Sequence, residues 1–138
     1  MFVIRKFYPI DADEIARHAN SPYIAAEQCA LSVQAFTIEH DGVPVVSFGA
    51  FEDLMRQGVY MVWMITGEKS GPAMLRLTRF ALKWLKSLNA RRLECYVMAD
   101  FKAAVRWMKM LGFTNETPNG MINFDGTDRV WFQYARAS

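Results

Sequence analysis

The residues with the clearest chemical potential lie just after a long apolar stretch. From Val59 to Thr66 the sequence is almost continuously apolar and rich in β-branched and aromatic residues, a pattern typical of a strand covered on both faces. A turn from Gly67 to Ala73 follows, and then apolar residues three and four positions apart predict a long amphipathic helix over Met74–Leu88. A helix N-terminus presents unpaired N–H groups and the positive end of the helix dipole, which suits a phosphate group. The turn is therefore a candidate anion-binding site.

The composition of this turn is compatible with a ligand site and with a simpler interpretation. Gly71 lets the backbone approach a ligand closely, Ala73 leaves room above the first helical turn, and Pro72 lies where a helix tolerates proline. The turn has neither the Gly-Lys-Ser/Thr ending of a Walker loop nor a G-x-G-x-x-G pattern. A tight connection between a strand and a helix is the alternative explanation of the same residues.

Histidine and cysteine give little support for catalysis or metal binding. His18 falls on a predicted surface helix and His40 in a predicted hairpin turn. Cys29 and Cys95 each lie in an apolar stretch, and their spacing fits neither a disulfide framework nor a metal site. No histidine is placed to activate Cys95. We predict no metal site, and we interpret both cysteines as small buried side chains in a reducing compartment.

Length and composition predict one compact domain over residues 1–138. A chain of 138 residues, 52% hydrophobic and 22% charged, is large enough to bury a core and is not typical of a disordered protein. Aromatic residues at 14% and nine methionines are abundant. They favour a core filled with Met and Phe, with an adaptable apolar binding surface as the alternative.

Charge and hydropathy limit the partners. The net charge is +2 and no block of five or more Lys and Arg occurs, so no nucleic-acid partner is expected. The N-terminal segment lacks the apolar core of a signal peptide, and no apolar run reaches the ~18 residues of a membrane span. We therefore expect no membrane association and a cytoplasmic location.

The remaining elements follow from periodicity and turn signals. In chain order they are a strand at Phe2–Phe7, a helix capped by Asp11 or Asp13 and running through His18, a short helix at Tyr23–Cys29, strands at Gln34–Glu39 and Val43–Phe51, a strand at Leu93–Met98, a helix at Ala103–Leu111, and a terminal hairpin of Met121–Phe124 with Arg129–Tyr134. Asp41-Gly42 is a strong hairpin signal. This order predicts an α/β fold with a mixed, mostly antiparallel sheet of six or seven strands, in which Val59–Thr66 and Leu93–Met98 are parallel neighbours.

Two segments carry a family resemblance. The segment from Glu68 to Ala73, E-K-S-G-P-A, resembles the acetyl-CoA signature Q/R-x-x-G-x-G/A of the GNAT superfamily of N-acetyltransferases. The segment from Ala103 to Phe113 resembles the second landmark of that superfamily, N-x-x-A-x-x-(apolar)-Y-x-x-x-G-F. The two motifs stand in the expected order and spacing, and the element order agrees over nearly the whole chain. The resemblance implies the GNAT fold, with helices on both faces of the sheet.

The resemblance also implies transfer of an acetyl group from acetyl-CoA to an amine acceptor. The two parallel strands would splay apart to admit the pantetheine arm. The cofactor would bind the strand backbone near Met64, Ile65 and Thr66 and the turn amides of Lys69, Ser70, Gly71 and Ala73. A carboxylate or water would deprotonate the amine, and Glu27, Glu52 and Asp53 are the candidate carboxylates, with solvated surface acids as the alternative. A tyrosine of the second motif usually protonates the departing thiolate.

Four positions depart from the family pattern. Met108 stands where the tyrosine is expected, and a thioether has no proton to donate. Phe101 stands where asparagine is expected, and Pro72 removes one amide from the phosphate-binding turn. Glu68 places a negative charge where the family has a neutral or positive residue. These departures weaken the case for catalysis.

Two functions therefore remain open at the level of sequence. The first is an acyl-CoA-dependent N-acetyltransferase. The second follows from a narrower resemblance, since the Arg106-Trp107 pair is similar to one in short phage-encoded GNAT-like proteins, including internal virion proteins of short-tailed phages. It is a protein that no longer catalyses and serves as a virion component or a binder of a host protein, located in the host cytoplasm or the virion. A homodimer is compatible with either function.

Overall fold

The computed structural model describes residues 1–16, 31–67 and 70–137. Its elements, in chain order, are β1 (Phe2–Lys6), α1 (Pro9–Ala16), β2 (Gln34–His40), β3 (Val43–Glu52), β4 (Val59–Thr66), a 3₁₀ turn (Gly71–Ala73), α2 (Met74–Ser87), β5 (Arg92–Met98), α3 (Lys102–Met110), β6 (Thr114–Asn115) and β7 (Trp131–Ala137). The short helix predicted at Tyr23–Cys29 and the end of the first predicted helix lie outside the described residues.

The strands form one seven-stranded sheet in the order β1-β2-β3-β4-β5-β7-β6. All neighbouring pairs are antiparallel except β4 and β5, which are parallel and are joined by the crossover through α2. The predicted fold class and the predicted parallel pair are both confirmed. The β2–β3 hairpin is also confirmed: Asp41 and Gly42 adopt positive φ angles of 51° and 83°, as its tight turn requires.

The start of α1 differs from its prediction. The helix begins at Pro9, before the predicted caps Asp11 and Asp13, and the fixed φ of proline is favourable at this first position. Asp11 lies in the first turn rather than before it, and its carboxylate accepts the backbone N–H of Tyr8 at 2.8 Å. Arg5 donates two hydrogen bonds to the same carboxylate, at 2.8 and 2.9 Å, so β1 and α1 are tied together.

The terminal hairpin was predicted with the wrong first strand. The partner of β7 on the edge away from β5 is Thr114–Asn115, whereas Met121–Phe124 forms no strand and contributes only a single bridge from Met121 to Trp131. Positive φ angles at Gly120 (82°) and Asn123 (55°) interrupt an extended conformation there. The segment between β6 and β7 is consequently a long loop, and part of this loop faces the cavity described below.

The core lies on both faces of the sheet. On one face α2 and α3 cover a cluster that includes Phe48 and Trp84, whose rings meet edge to face at 5.5 Å. On the other face α1 covers Trp63 and Ile65 of β4. Val62 of β4 packs on the α2 and α3 side, so this strand is covered on both faces as predicted. Within the described residues, no helix has the length and apolarity needed to cross a membrane.

Candidate functional site

The parallel strands β4 and β5 separate along their length. They pair only at their first residues, ending with Met61 opposite Glu94. Beyond that point β4 stays paired with β3 as far as Thr66, and β5 stays paired with β7 as far as Met98. Neither strand has ended, so the separation is a gap inside a continuous sheet. The splay that the family resemblance implied is therefore present.

A cavity of about 750 Å³ occupies this gap. Met61 and Trp63 on one face of β4 and Val62 and Met64 on the other all line it, which means that the cavity reaches both sides of the sheet. Its other lining residues are Phe48, Thr66, Ala81, Trp84, Leu85, Cys95, Tyr96, Val97, Met98, Phe101, Ala104, Trp107, Met108, Leu111, Phe113, Phe124, Asp125 and Trp131. Most of these side chains are apolar, so the cavity favours a ligand with a long apolar segment.

Helix α3 forms one wall of the cavity. Met108 is only 4% exposed and faces the cavity together with Phe101 and Ala104. Trp107 lines the same wall, and its indole N–H donates a 2.8 Å hydrogen bond to Thr78 Oγ1, which fixes α3 against α2. The two residues that depart from the family motif, Phe101 and Met108, thus both lie at the cavity. An acidic proton is missing from the place where the family carries its tyrosine.

The turn before α2 is closed by its own hydrogen bonds. The N–H of Ser70 donates to the carbonyl of Gly67 at 3.2 Å, and the N–H of Ala73 donates to the carbonyl of Ser70 at 2.9 Å. Two of the four amides predicted to bind pyrophosphate are thus engaged within the turn, and Lys69 lies outside the described residues. Space remains at Gly71, where an added Cβ would meet no atom within 4 Å. Cofactor binding by these residues stays a prediction.

Three carboxylates were candidates for the base, and the two that lie within the described residues do not reach the cavity. Glu52 is exposed at the end of β3, opposite Tyr60 and therefore at the closed end of the β4–β5 pair. Asp53 accepts hydrogen bonds from the N–H of Met55 and from Arg56 Nε, both at 2.8 Å. Neither lines the cavity. Glu27 lies outside the described residues, so its role stays a prediction.

Cys95 lies on β5 within the cavity wall. Burial raises the pKa of its thiol to about 12, so it stays protonated and is a poor nucleophile at neutral pH. Cys95 is half-buried rather than fully buried as predicted, because its strand borders the cavity. Among the described residues, no group of three or more His, Cys, Asp and Glu side chains is arranged to hold a metal ion.

An ion cluster marks the point where the two strands begin to separate. Glu94, in the last paired position of β5, is 2% exposed and receives two hydrogen bonds from Arg56, at 2.7 and 3.0 Å, and one from Arg92 at 2.7 Å. Arg92 also pairs with Glu116. The hydrogen bonds from Arg56 hold the pKa of the Glu94 carboxyl below its ordinary value, against the opposing effect of burial. The cluster joins the β3–β4 turn to β5 beside the cavity.

Glu94→Gln should lower the free energy of unfolding at pH 7 by about 1–3 kcal/mol, because it removes the buried carboxylate charge that accepts hydrogen bonds from Arg56 and Arg92. Since folding lowers the pKa of Glu94, its stabilisation is present above the ordinary value of 4.5 and is lost as the pH falls through the folded value. The free energies of unfolding of the parent protein and of Glu94→Gln can be measured in urea between pH 7 and pH 3. The difference between the two should become smaller below about pH 4.5. The matched change Glu116→Gln, at the exposed end of the cluster, should cost less than about 1 kcal/mol. Equal losses in the two variants would contradict the assignment.

Sequence reasoning missed the side of the cavity that lies away from α2 and α3. Tyr96 of β5, Phe124 and Asp125 of the β6–β7 loop and Trp131 of β7 line it together. The ring centroids of Tyr96 and Phe124 are 4.8 Å apart, and those of Phe124 and Trp131 are 5.9 Å apart. The only local signal, Asp125-Gly126, indicated a hairpin turn. A residue pattern does not reveal that this turn folds back over a gap in the sheet.

Comparison with solved structures shows that this arrangement of strands and helices is the GNAT fold. Ard1 from Thermoplasma volcanium matches 99% of this chain with 97% of its own, at a TM-score of 0.79 and 16% identity. The ribosomal-protein-S18-alanine N-acetyltransferase of Escherichia coli matches 99% with 94% of its own chain, at a TM-score of 0.75 and 17% identity. The protein yncA of Salmonella typhimurium, solved with its cofactor acetyl-CoA, matches 99% with 94% of its own chain, at a TM-score of 0.73 and 13% identity. No protein-family model and no curated protein matches the sequence.

Proposed function

We propose that this protein is an acyl-CoA-dependent N-acetyltransferase that acts on an amine. The observation that carries the proposal is the gap between β4 and β5 and the cavity that passes through it. A mere strand-to-helix connection needs no such gap, since two parallel strands gain hydrogen bonds by pairing along their whole length. The similarity to acetyltransferase structures, one of them with acetyl-CoA, supports the same assignment.

The residues present fit acetyl-CoA. Met64, Ile65 and Thr66 lie on the separated part of β4, where the edge facing β5 has no strand partner and is available to the amides of a pantetheine arm. The apolar lining suits the arm and the acetyl group. The open space at Gly71 gives the phosphates room beside the turn, with the N-terminal end of α2 supplying a favourable dipole.

Acetyl-CoA supplies an acetyl thioester, whose C–S bond is exchanged for a C–N bond to the amine while one proton leaves the amine and one reaches the sulfur. The cavity residues bring the two partners together from opposite faces of the sheet. The described residues of helix α3 offer no acidic proton to the cavity, because Met108 has none and the indole N–H of Trp107 is held by Thr78. We therefore propose that solvent delivers the final proton, which makes transfer slow.

The proposal is tested by ligand binding and turnover together. Acetyl-CoA should raise the Tm in proportion to the logarithm of its concentration, because it binds only the folded chain. Addition of a panel of primary amines should then release free CoA thiol and give an acetylated product by mass spectrometry. ATP is the control for unspecific nucleotide binding and should give a smaller shift. No shift with acetyl-CoA at millimolar concentration would overturn the proposal.

A non-catalytic role is the second candidate, and a specific observation favours it. Met108 replaces the proton donor, and the amides of Ser70 and Ala73 are already hydrogen-bonded within the turn. In this alternative the fold is used to bind another protein or a second copy of the chain, as a virion component or a binder of a host protein. It predicts neither an acetyl-CoA shift nor acetylated product.

A further inference from the structure

We propose that the acceptor end of the cavity, formed by Tyr96, Phe124, Asp125 and Trp131, binds a cationic alkylamine. The inference rests on the proposed function and narrows the class of acceptor to an ammonium group on an alkyl chain, in preference to an anionic or uncharged acceptor. Aromatic rings and a carboxylate around one cavity are the side chains that recognise an organic cation.

The three aromatic rings form a continuous surface at this end of the cavity. Phe124 lies between the other two, in contact with Tyr96 at 4.8 Å and with Trp131 at 5.9 Å between ring centroids. Its side chain is 45% exposed, although a large apolar ring is normally buried. A ring that is held by two neighbours and is still 45% exposed leaves part of its surface open to a ligand. Such faces attract alkylammonium groups through both apolar contact and the ring quadrupole.

Asp125 adds a negative charge directly beside the rings. Its Oδ1 accepts hydrogen bonds from the N–H and the hydroxyl of Thr127, at 3.0 and 2.6 Å, which orients the carboxylate. The hydroxyl of Thr127 in particular holds the pKa of Asp125 below its ordinary value, so the group is ionised at neutral pH. Such a carboxylate is a good counterion for an ammonium group but a weak base.

The residues around Asp125 also carry a net negative charge. A second cavity of about 560 Å³ lies on the neighbouring residues and is lined by Asp100 and Asp128, with Arg129 as its basic residue. Among the described residues, the charged side chains that line the two cavities are therefore three carboxylates and one guanidinium, a local charge of −2. The whole chain carries +2, so this region is distinct and favours a cation over an anionic or neutral acceptor.

The site explains how an amine is delivered to the gap. The amine arrives as an ammonium ion, is held by the rings and Asp125, and loses a proton to water before its lone pair attacks. Because Asp125 is a weak base, the reaction should accelerate with rising pH as more free amine forms.

The inference is tested with choline and its uncharged isostere 3,3-dimethyl-1-butanol, titrated calorimetrically into the full chain without acetyl-CoA. Choline should bind, and the isostere should bind at least about tenfold more weakly, since it has the same shape but no charge. Asp125→Asn and Phe124→Leu should each weaken choline binding at least about fivefold. Asp41→Asn makes the same change of charge in the β2–β3 hairpin, at an exposed position with a φ that Asn tolerates, and should have no effect.

Each outcome separates this inference from the proposed function. Equal affinity for choline and its isostere would overturn the inference, because it would mean that the site recognises the apolar shape of the ligand and not its charge. Absence of choline binding, or undiminished binding by the folded Asp125→Asn protein, would overturn the inference while an acetyl-CoA shift leaves the proposed function standing. Choline binding without any acetyl-CoA shift would overturn the proposed function and leave a cation-binding protein.

Discussion

Gly71→Glu should abolish acetyl-CoA binding and leave the fold intact. A Cβ added at Gly71 meets no atom within 4 Å apart from its chain neighbours, and the φ of Gly71 is not positive, so a larger side chain has room there. If the phosphates of the cofactor lie beside this turn, a carboxylate within about 4 Å repels them. This repulsion weakens the free energy of binding by on the order of 4 kcal/mol before screening by salt. We expect acetyl-CoA affinity to fall at least about a hundredfold, measured by calorimetry and by loss of the Tm shift.

The control for this experiment is Gly71→Gln, which has the same size without the charge. It should weaken binding much less than Gly71→Glu, and both variants should unfold in urea like the parent protein. Ala73 is the less suitable position, although the sequence motif points to it. Its side chain is 0% exposed within the core, so a glutamate there would disrupt folding as well as binding. Undiminished affinity in Gly71→Glu would mean that the phosphates do not bind at this turn.

The parts of the fold that were predicted correctly depend on local signals. The run Val59–Thr66 is apolar at nearly every position because β4 is covered on both faces, and this pattern is visible without any knowledge of neighbours. Asp41-Gly42 adopts the positive φ angles that its residue types favour. A strand, a long amphipathic helix and another strand then leave a parallel crossover as the natural topology, which the β4–β5 pairing confirms.

The parts that were missed depend on contacts between distant residues. Glu94 reads as an isolated acid in an apolar strand. Its partner Arg56 comes from a remote turn, and Glu116, which pairs with Arg92 beside it, comes from a remote loop. The strand Thr114–Asn115 is too short to show an alternation of apolar and polar residues. The longer apolar segment at Met121–Phe124 has the stronger strand signal, which is why it is predicted to pair with β7. Because that segment is instead a loop, the part of the cavity that Phe124 and Asp125 line could not be predicted.

Met108→Tyr should increase the rate of acetyl transfer if the protein is an enzyme without its usual acid. Met108 lines the cavity on α3, and the open volume beside it can accept a ring at a packing cost of about 1–3 kcal/mol or less. A phenol with its ordinary pKa of about 10 is protonated at neutral pH and can donate to a departing thiolate. General acids typically contribute about 10²–10⁴ to a rate, so kcat should rise at least about tenfold with acetyl-CoA and a good amine.

Met108→Phe is the matched control, because it adds the same ring without the hydroxyl. An increase in kcat that appears with tyrosine and not with phenylalanine would assign the gain to the proton rather than to packing. The gain should also fall as the pH approaches about 10 and the phenol ionises. If both folded variants bind acetyl-CoA but turn over no faster than the parent, proton delivery is not what limits this protein. If none of the three proteins binds acetyl-CoA or yields product, the cavity serves binding alone and the non-catalytic role is the better account.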